Sequence, residues 1–489
     1  MKEFFRTFFA VVVAQLFLCF CGLVIVLAIV ALATSDTVDV PRDAYLIQDI
    51  SGEIPEYRLP TSLTQLGEKP MHLTAILENL EKAREDERIR GVILKIGPST
   101  MGFAKRGEIR DRIRRLQEAG KPVYAYSRLM QTSDYYLVSG CDSIFIPPEG
   151  MLEFHGFAAE VPFVKGTLDA IGVRPNVDYI AEYKSAVEPF IREEMSPEAR
   201  ENLLWMLNPI FDDMVAVIAG ERNMSPEQVV KLMEGAIYNA PHARELGLLD
   251  ATLYWEDLET VLNGGDEWKT ISAGDYAEVE RKSVGLGGKP RVAVVHAQGV
   301  IAGGENGFAF PFGLKMGSAT MTRVLDEIRD DSSIDAVIMR IDSNGGESIA
   351  SDEIGYALSL VEEEKPVLVS MVDVAASGGY MISYQCSTVV AHEHTLTGSI
   401  GSITGKFNLR GLYHHLGIRK DFVTVGPRSR IYSDYRDFTE EEREIVRKRH
   451  WASYDTWVRR ISEMRNIPYA AMDTLARGRV WTGEQALER

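Results

Sequence analysis

The chain has 489 residues, of which 45% are hydrophobic and 25% charged, and it carries a formal net charge of −18. That length suits two ordinary domains of globular composition, each with its own core. The acidic balance excludes a nucleic-acid partner, because nothing would neutralise phosphates, and its simplest role is solubility.

The first element is a long apolar run from Thr7 to Ser35 that holds no charge. It exceeds both the roughly 20 residues that span a bilayer and the roughly 7–15 of a signal-peptide core. Lys2 and Arg6 precede it, and Asp36, Asp39 and Asp43 follow. The positive-inside rule therefore predicts a cytoplasmic tail over 1–7, one transmembrane anchor over 8–33, and the bulk of the chain outside. The rival is a cleaved signal peptide ending near Ala31–Ala33.

Beyond the anchor the chain is written twice. "IRGVILKIGPS" (Ile89–Ser99) matches "IDAVIMRIDSN" (Ile334–Asn344), and "LDAIGVRPNVDYI" matches "YHHLGIRKDFVTV". "GKPVYAYSRLMQTSDYYLVSGCDSIFI" matches "EKPVLVSMVDVAASGGYMISYQCSTVV". The offset holds at 244–245 residues, so the period is a whole domain. The expected division is a first copy over 42–262, a linker over 263–290 with its "NGG" and "GLGG" clusters, and a second copy over 291–489.

In each copy, β-branched runs such as "GVILKI" and "KPVLVS" alternate with amphipathic stretches such as "RGEIRDRIRRLQEAG" and "ASDEIGYALSLVEEE". This predicts α/β copies with mostly parallel strands. Long helices are predicted after the N-terminal signals Ser196-Pro197 and Thr439. The glycine- and aromatic-rich stretch "GGENGFAFPFGLKMGS" reads as a mobile loop, either a lid, a membrane-facing loop or a surface insertion. The first copy continues "ARELGLLD" where the second stops at "ALER", so the native product is expected to continue past 489.

The four cysteines do not form a disulfide scaffold: Cys19 and Cys21 fall in the anchor, leaving Cys141 and Cys386. There is no CxxC pair and no HExxH motif, and "HEH" (His392–His394) is too compact for a metal site. No metal and no cofactor are expected.

The copies differ where chemistry would sit. In "DVAASGGYMISY" (Asp373–Tyr384), Ser377 follows a buried strand and precedes Gly378 and Gly379. The first copy has Ser133 there, but "SGGY" has become "SDYY". Gly345 and Gly346 of "DSNGGES" align with Thr100 and Met101. Glycines after buried strands leave backbone N–H groups open, as an oxyanion hole requires. Ser377 is thus the candidate nucleophile, with Gly378 and one of Gly345 or Gly346 as backbone donors, and Ser133 a relic.

The base candidate stands in the other copy. Lys184 of "YIAEYKSAVEPF" has its counterpart near Ser429, where no lysine occurs. A lysine accepts a proton near pH 7 only if its pKa falls by roughly 3 units, which apolar burial supplies. Glu182 and Glu188 must then point elsewhere.

These motifs, "EYKSAVEPF", "ASGGYMIS" and "TLTGSIGS", together resemble the signal peptide peptidase A (protease IV) family in its long, duplicated, membrane-anchored bacterial form. The resemblance covers the anchor and both copies. It implies tandem Clp/crotonase-like domains, with Ser377 as nucleophile, Lys184 as general base and Ser399 orienting the lysine. It also implies cleaved signal peptides and other apolar peptides as substrates, a homo-tetramer around an axial chamber, and a bacterial inner-membrane anchor with the catalytic domain in the periplasm. One departure is Asn344, where the family's turn usually carries proline. Whether Ser377 meets Lys184 of its own chain or a neighbour's is left open. Three rivals remain: a Ser/His peptidase using His392 or His394, a crotonase-like acyl-CoA enzyme, and an inert membrane scaffold.

Overall fold

The computed structural model describes residue 15 and residues 38–57, 71–265, 268–311 and 313–489. The expected tail over 1–7 and, apart from Gln15, the anchor over 8–33 lie outside the described residues.

The first copy runs β1 (Ala44–Gly52), α1 (Leu73–Glu85), β2 (Ile89–Ser99), α2 (Phe103–Glu118), β3 (Val123–Ser127), α3 (Thr132–Val138), β4 (Ser143–Ile146), β5 (Arg174–Tyr179), α4 (Pro197–Glu221), β6 (Ala251–Thr252) and β7 (Lys269–Ser272). Six strands form one sheet in the order β7-β1-β2-β3-β4-β6, and every pair is parallel. A parallel sheet is covered on both faces, and β2 accordingly buries Val92, Ile93, Leu94 and Ile96 on either side. Helix α1 buries Leu73, Ile76, Leu80 and Ala83, the one-face spacing of an amphipathic helix.

Strand β7 corrects the expected linker over 263–290. Residues 269–279 belong to the first copy: β7 pairs with β1, and Ile271, Ala273, Tyr276 and Val279 are buried. Buried Lys82 donates from Nζ to the carbonyls of Tyr276 (2.7 Å) and Val279 (3.0 Å). The flanking glycines and charges mask this strand in the sequence, because only four residues carry it and its pairing partner lies more than 200 positions away.

The second copy runs β8 (Val292–Gln298), β9 (Ala336–Ser343), α5 (Ser348–Glu362), β10 (Val367–Ala376), α6 (Gly378–Ser383), β11 (Val389–Ala391), β12 (Leu396–Gly398), β13 (Ile403–Asn408), α7 (Glu440–Arg465), α8 (Tyr469–Leu475) and β14 (Val480–Thr482). Its sheet has the order β8-β9-β10-β12-β14, with β11 also on β10, and is parallel except for β12–β14. The predicted helix starts hold: Ser196 Oγ accepts from Ala199 N at 3.0 Å, and Thr439 closes a capping box with Glu442. The aromatic loop carries two short paired strands, Gly307–Ala309 and Gly313–Gly317, and leaves Phe308 and Phe310 exposed.

The copies do not close separately. Strand β5 of the first pairs antiparallel with β13 of the second, from Ile403↔Tyr179 to Asn408↔Arg174. Next to this ribbon, Ile180 of the first copy enters a core of Met381, Tyr384, Ile400, Trp457 and Ile461. Asp373 of the second copy accepts from the N–H groups of Gly102 (2.8 Å) and Lys105 (3.0 Å), capping α2 of the first. Arg340 bridges back to Glu56 (2.7 Å) and Glu108 (2.8 Å).

Among the described residues one helix, Pro197–Glu221, is long and apolar enough to cross a membrane. Its Met214, Val215, Ile218 and Ala219 are buried in the first core, and Asn202 Oδ1 accepts from Val480 N of the second copy.

Candidate active site

Strand β10 ends at Ala376 and α6 starts at Gly378, so Ser377 forms a one-residue elbow between them. Its backbone is at φ 57° and ψ −114°, a region that L-residues seldom occupy. The strained geometry is held on both sides: Ser377 N donates to Gly398 O (2.9 Å), and Ser377 O accepts from Met381 N (2.9 Å). A strained strand-to-helix serine is the geometry that presents a hydroxyl outward. The aligned Ser133 has no elbow; it lies inside α3 with helical backbone.

The glycines are required by backbone contact. A Cβ on Gly345 (φ +99°) would sit 2.5 Å from Gly378 N and 2.8 Å from Ser377 Cβ. A Cβ on Gly378 would sit 3.0 Å from Gly346 N. Of the expected pair of donors, Gly345 N is already engaged by Ser343 Oγ (3.1 Å). Gly346 therefore remains as the partner for Gly378, whose amide opens the first turn of α6.

Lys184 reaches this elbow from the first copy of the same chain. It follows β5 and stands just before a short 3₁₀ turn, Ser185–Val187. Only 7% of it is exposed. Its Nζ lies 3.0 Å from Ser377 Oγ, 2.9 Å from Ser399 Oγ and 2.8 Å from Ser399 O. Burial lowers its pKa from 10.5 to about 7. The neighbouring carboxylates do point elsewhere: Glu182 is forked by Arg477 (2.8 Å twice), and Glu188 accepts from Ser196 N (2.9 Å). Ser399, the third member, also has a positive φ of 51°.

The histidines of "HEH" pack against the first copy. A Cβ on Gly107 of α2 would collide with the ring of His392, and burial, then the charge of His394, lowers the His392 pKa to about 4. His394 Nε2 lies 3.1 Å from Asp213, and its ring meets Phe103 edge-on. The structure does assemble a different serine–histidine–carboxylate set. Ser402 Oγ is 2.7 Å from His450 Nε2, and His450 Nδ1 is 2.7 Å from Asp178 Oδ2. Spread over residues 178, 402 and 450, it has no local sequence signature.

A cavity of about 850 Å³ is lined by Tyr380, Gly398 and Ile400 from the segments around the elbow and by the charged Glu393, Arg465 and Arg489.

The family model described as Peptidase family S49 matches residues 115–277 and 359–489, one segment in each copy. The serine protease SPPA, chloroplastic, of Arabidopsis thaliana is 32% identical over 431 residues, which cover 86% of this chain and 63% of that protein. Protease 4 of Salmonella typhi is 30% identical over 429 residues, covering 84% of this chain and 68% of that one. Protease 4 of Haemophilus influenzae is 29% identical over 428 residues, with coverage of 84% and 68%. The chain thus spans slightly under two thirds of the plant relative and about two thirds of the bacterial ones. With the matched segments falling on both halves of the duplication, the chain belongs to peptidase family S49, a family of serine proteases.

Proposed function

We propose that this chain is a membrane-anchored serine endopeptidase with a Ser377/Lys184 dyad, which degrades residual signal peptides after their release from preproteins. The observation that carries the reading is the 3.0 Å approach of a buried lysine to a serine on a strained elbow. A neutral amine has two N–H donors and one lone pair. Its three contacts match that inventory: the donors go to Ser399 O and Ser399 Oγ, and the lone pair faces the hydroxyl of Ser377.

Ser377 Oγ attacks a peptide carbonyl while its proton passes to Lys184 Nζ. The N–H groups of Gly378 and Gly346 stabilise the oxyanion. The lysine ammonium returns the proton to the leaving amine, and the acyl-enzyme is released by water activated at the same amine. Each copy resembles a Clp/crotonase-like domain in this reading, though with acyl transfer to a serine rather than thioester chemistry.

The location follows from the apolar run over 7–35, which anchors the chain in a bacterial inner membrane with the domain on the periplasmic side. Exposed Phe308 and Phe310 suit contact with a lipid surface or an apolar peptide.

Each copy also holds a counterpart of the β5–β13 ribbon that forms no strand. In the second copy, residues 419–425 correspond to β5 but have no strand partner, and Val423 and Val425 are 98% and 89% exposed. In the first copy, residues 159–164 correspond to β13 and are irregular. A head-to-tail neighbour would pair these two segments as β5 and β13 pair within the chain, and repetition of that contact closes a ring. A homo-tetramer is the reading proposed.

A second reading is favoured by the Ser402–His450–Asp178 geometry: a Ser/His peptidase with Ser402 as nucleophile. Against it, Ser402 lacks the positive-φ elbow of Ser377. Hydrolysis of an apolar peptide ester by the full chain in detergent separates the two. Ser377→Ala and Lys184→Ala should abolish turnover while His450→Ala and Ser402→Ala retain it. The reverse pattern transfers the chemistry to Ser402.

A further inference from the structure

The turn Arg477–Arg479, between α8 and β14, holds the two segments that meet at the dyad. Arg477 O accepts from Tyr183 N (3.2 Å), next to Lys184. Arg479 O accepts from Ser399 N (2.7 Å), and Gly478 N donates to Ile400 O (2.8 Å). Gly478, at φ +81°, lies flat on the Lys184 backbone, and a Cβ there would collide with Lys184 N and its side chain. Arg477 itself has a positive φ of 50°, as do Ser377 and Ser399 at 57° and 51°. Three non-glycine residues in this costly conformation converge on one lysine, and such strain persists only where surrounding contacts impose it.

The charges are arranged with equal economy. On the lysine's own segment are Glu182, Tyr183 and Glu188. From α8 comes Asp473, from the turn Arg477 and Arg479, and from α4 Glu201. Each carboxylate is engaged away from the amine. Arg477 forks Glu182 and also reaches Asp473 (3.2 Å); Arg479 pairs with Glu201 (2.8 Å) and stacks on Tyr183. Glu188 is held by Ser196 N. The elbow side contributes the hydroxyls of Ser377 and Ser399 and the carbonyl of Ser399.

We infer that Arg477 is a positioning residue for Lys184, clamping Glu182 away from the amine while its carbonyl fixes the lysine's segment against the Ser399 turn. This rests on the dyad reading. Without Arg477, Glu182 two residues from the lysine loses its partner. A free carboxylate near the amine favours the ammonium, the form that cannot accept the proton of Ser377.

The test is the pH dependence of kcat/KM for an apolar peptide ester, using the full chain in detergent. Arg477→Gln should move the acidic limb upward by about one pH unit. That appears as a roughly tenfold loss near pH 6.5 that fades by pH 9. The double variant Arg477→Gln/Glu182→Gln, which removes both charges, should return the limb toward that of the unmodified protein and also guards against misfolding of the single variant. A loss of equal size at every pH, or a limb that the double variant does not restore, overturns the inference and leaves Arg477 a structural residue. Lys184→Ala run in parallel separates the two levels: if it keeps turning over substrate, the dyad fails; if it is inactive but Arg477→Gln leaves the limb in place, only the clamp fails.

Discussion

Ile180 and Val425 occupy the same position in the two copies, yet Ile180 is 0% exposed and Val425 is 89% exposed. The difference is a partner: Ile180 continues a strand paired with the other copy, while the segment of Val425 is unpaired. Val423→Asp/Val425→Asp should therefore lower the particle mass measured by light scattering while leaving the melting temperature of the separated chain unchanged. An unchanged mass would show that this edge is not where copies meet.

Lys184 should cost stability in exchange for its reactivity. Its folded pKa of about 7 lies below the ordinary 10.5. Between these values the unfolded chain holds a proton that the folded chain has shed, so stability rises with pH across that window. At and below pH 7 the folded state bears nearly the whole cost of a buried ammonium, on the order of 5 kcal/mol before its hydrogen bonds offset part of it. Lys184→Met, similar in shape and uncharged, should raise the melting temperature by a few degrees at pH 7, with the advantage shrinking toward pH 10. A variant that melts lower at pH 7 would contradict a buried, strained amine.

Arg340 should be among the residues that hold the copies together. Burial pushes the carboxyl of Glu56 up, but the nearby His296 ring (3.7 Å) and the hydrogen bond and charge of Arg340 outweigh it and bring the pKa down to about 2. Removing Arg340 leaves a buried charge without its main partner, a loss of about 3–5 kcal/mol. Arg340→Ala should lower the urea midpoint strongly, and Arg340→Leu/Glu56→Leu should recover part of the loss. The stabilisation from Glu56 is present above about pH 4.5 and is lost as pH falls toward 2, so the single variant should also show a shallower decline in acid.

The proposed reactive groups are legible in the sequence because each sits in a compact local motif: Ser377 beside two glycines, Lys184 in "EYKSAVEPF", Ser399 in "TLTGSIGS". The duplication then placed the serine and the lysine in different copies. What stayed hidden depends on long-range contact. Nothing local reveals that β5 pairs with β13, or that Ser402, His450 and Asp178 align. The burial of strand β7 is likewise decided by β1 and α1, which are distant in sequence, so its residues read locally as linker. The elbow of Ser377 is a backbone property, and a serine followed by glycines is compatible with it without requiring it.

Ser399 offers a test that distinguishes orientation from charge. It meets Lys184 Nζ twice, through its backbone carbonyl at 2.8 Å and its hydroxyl at 2.9 Å. Ser399→Ala removes only the hydroxyl. The amine keeps one anchor and gains freedom to turn its lone pair away from Ser377. The lost bond is worth about 1.5–3 kcal/mol if it is made to the charged form that develops in the transition state. That corresponds to a fall in kcat of roughly 10- to 150-fold, with KM little changed because no substrate contact is lost. The acidic limb of the pH profile should move to lower pH, since the ammonium loses a hydrogen bond that favours it, and not upward, since no carboxylate is freed. A limb shifted upward would instead mean that Ser399 does not stabilise the charged lysine.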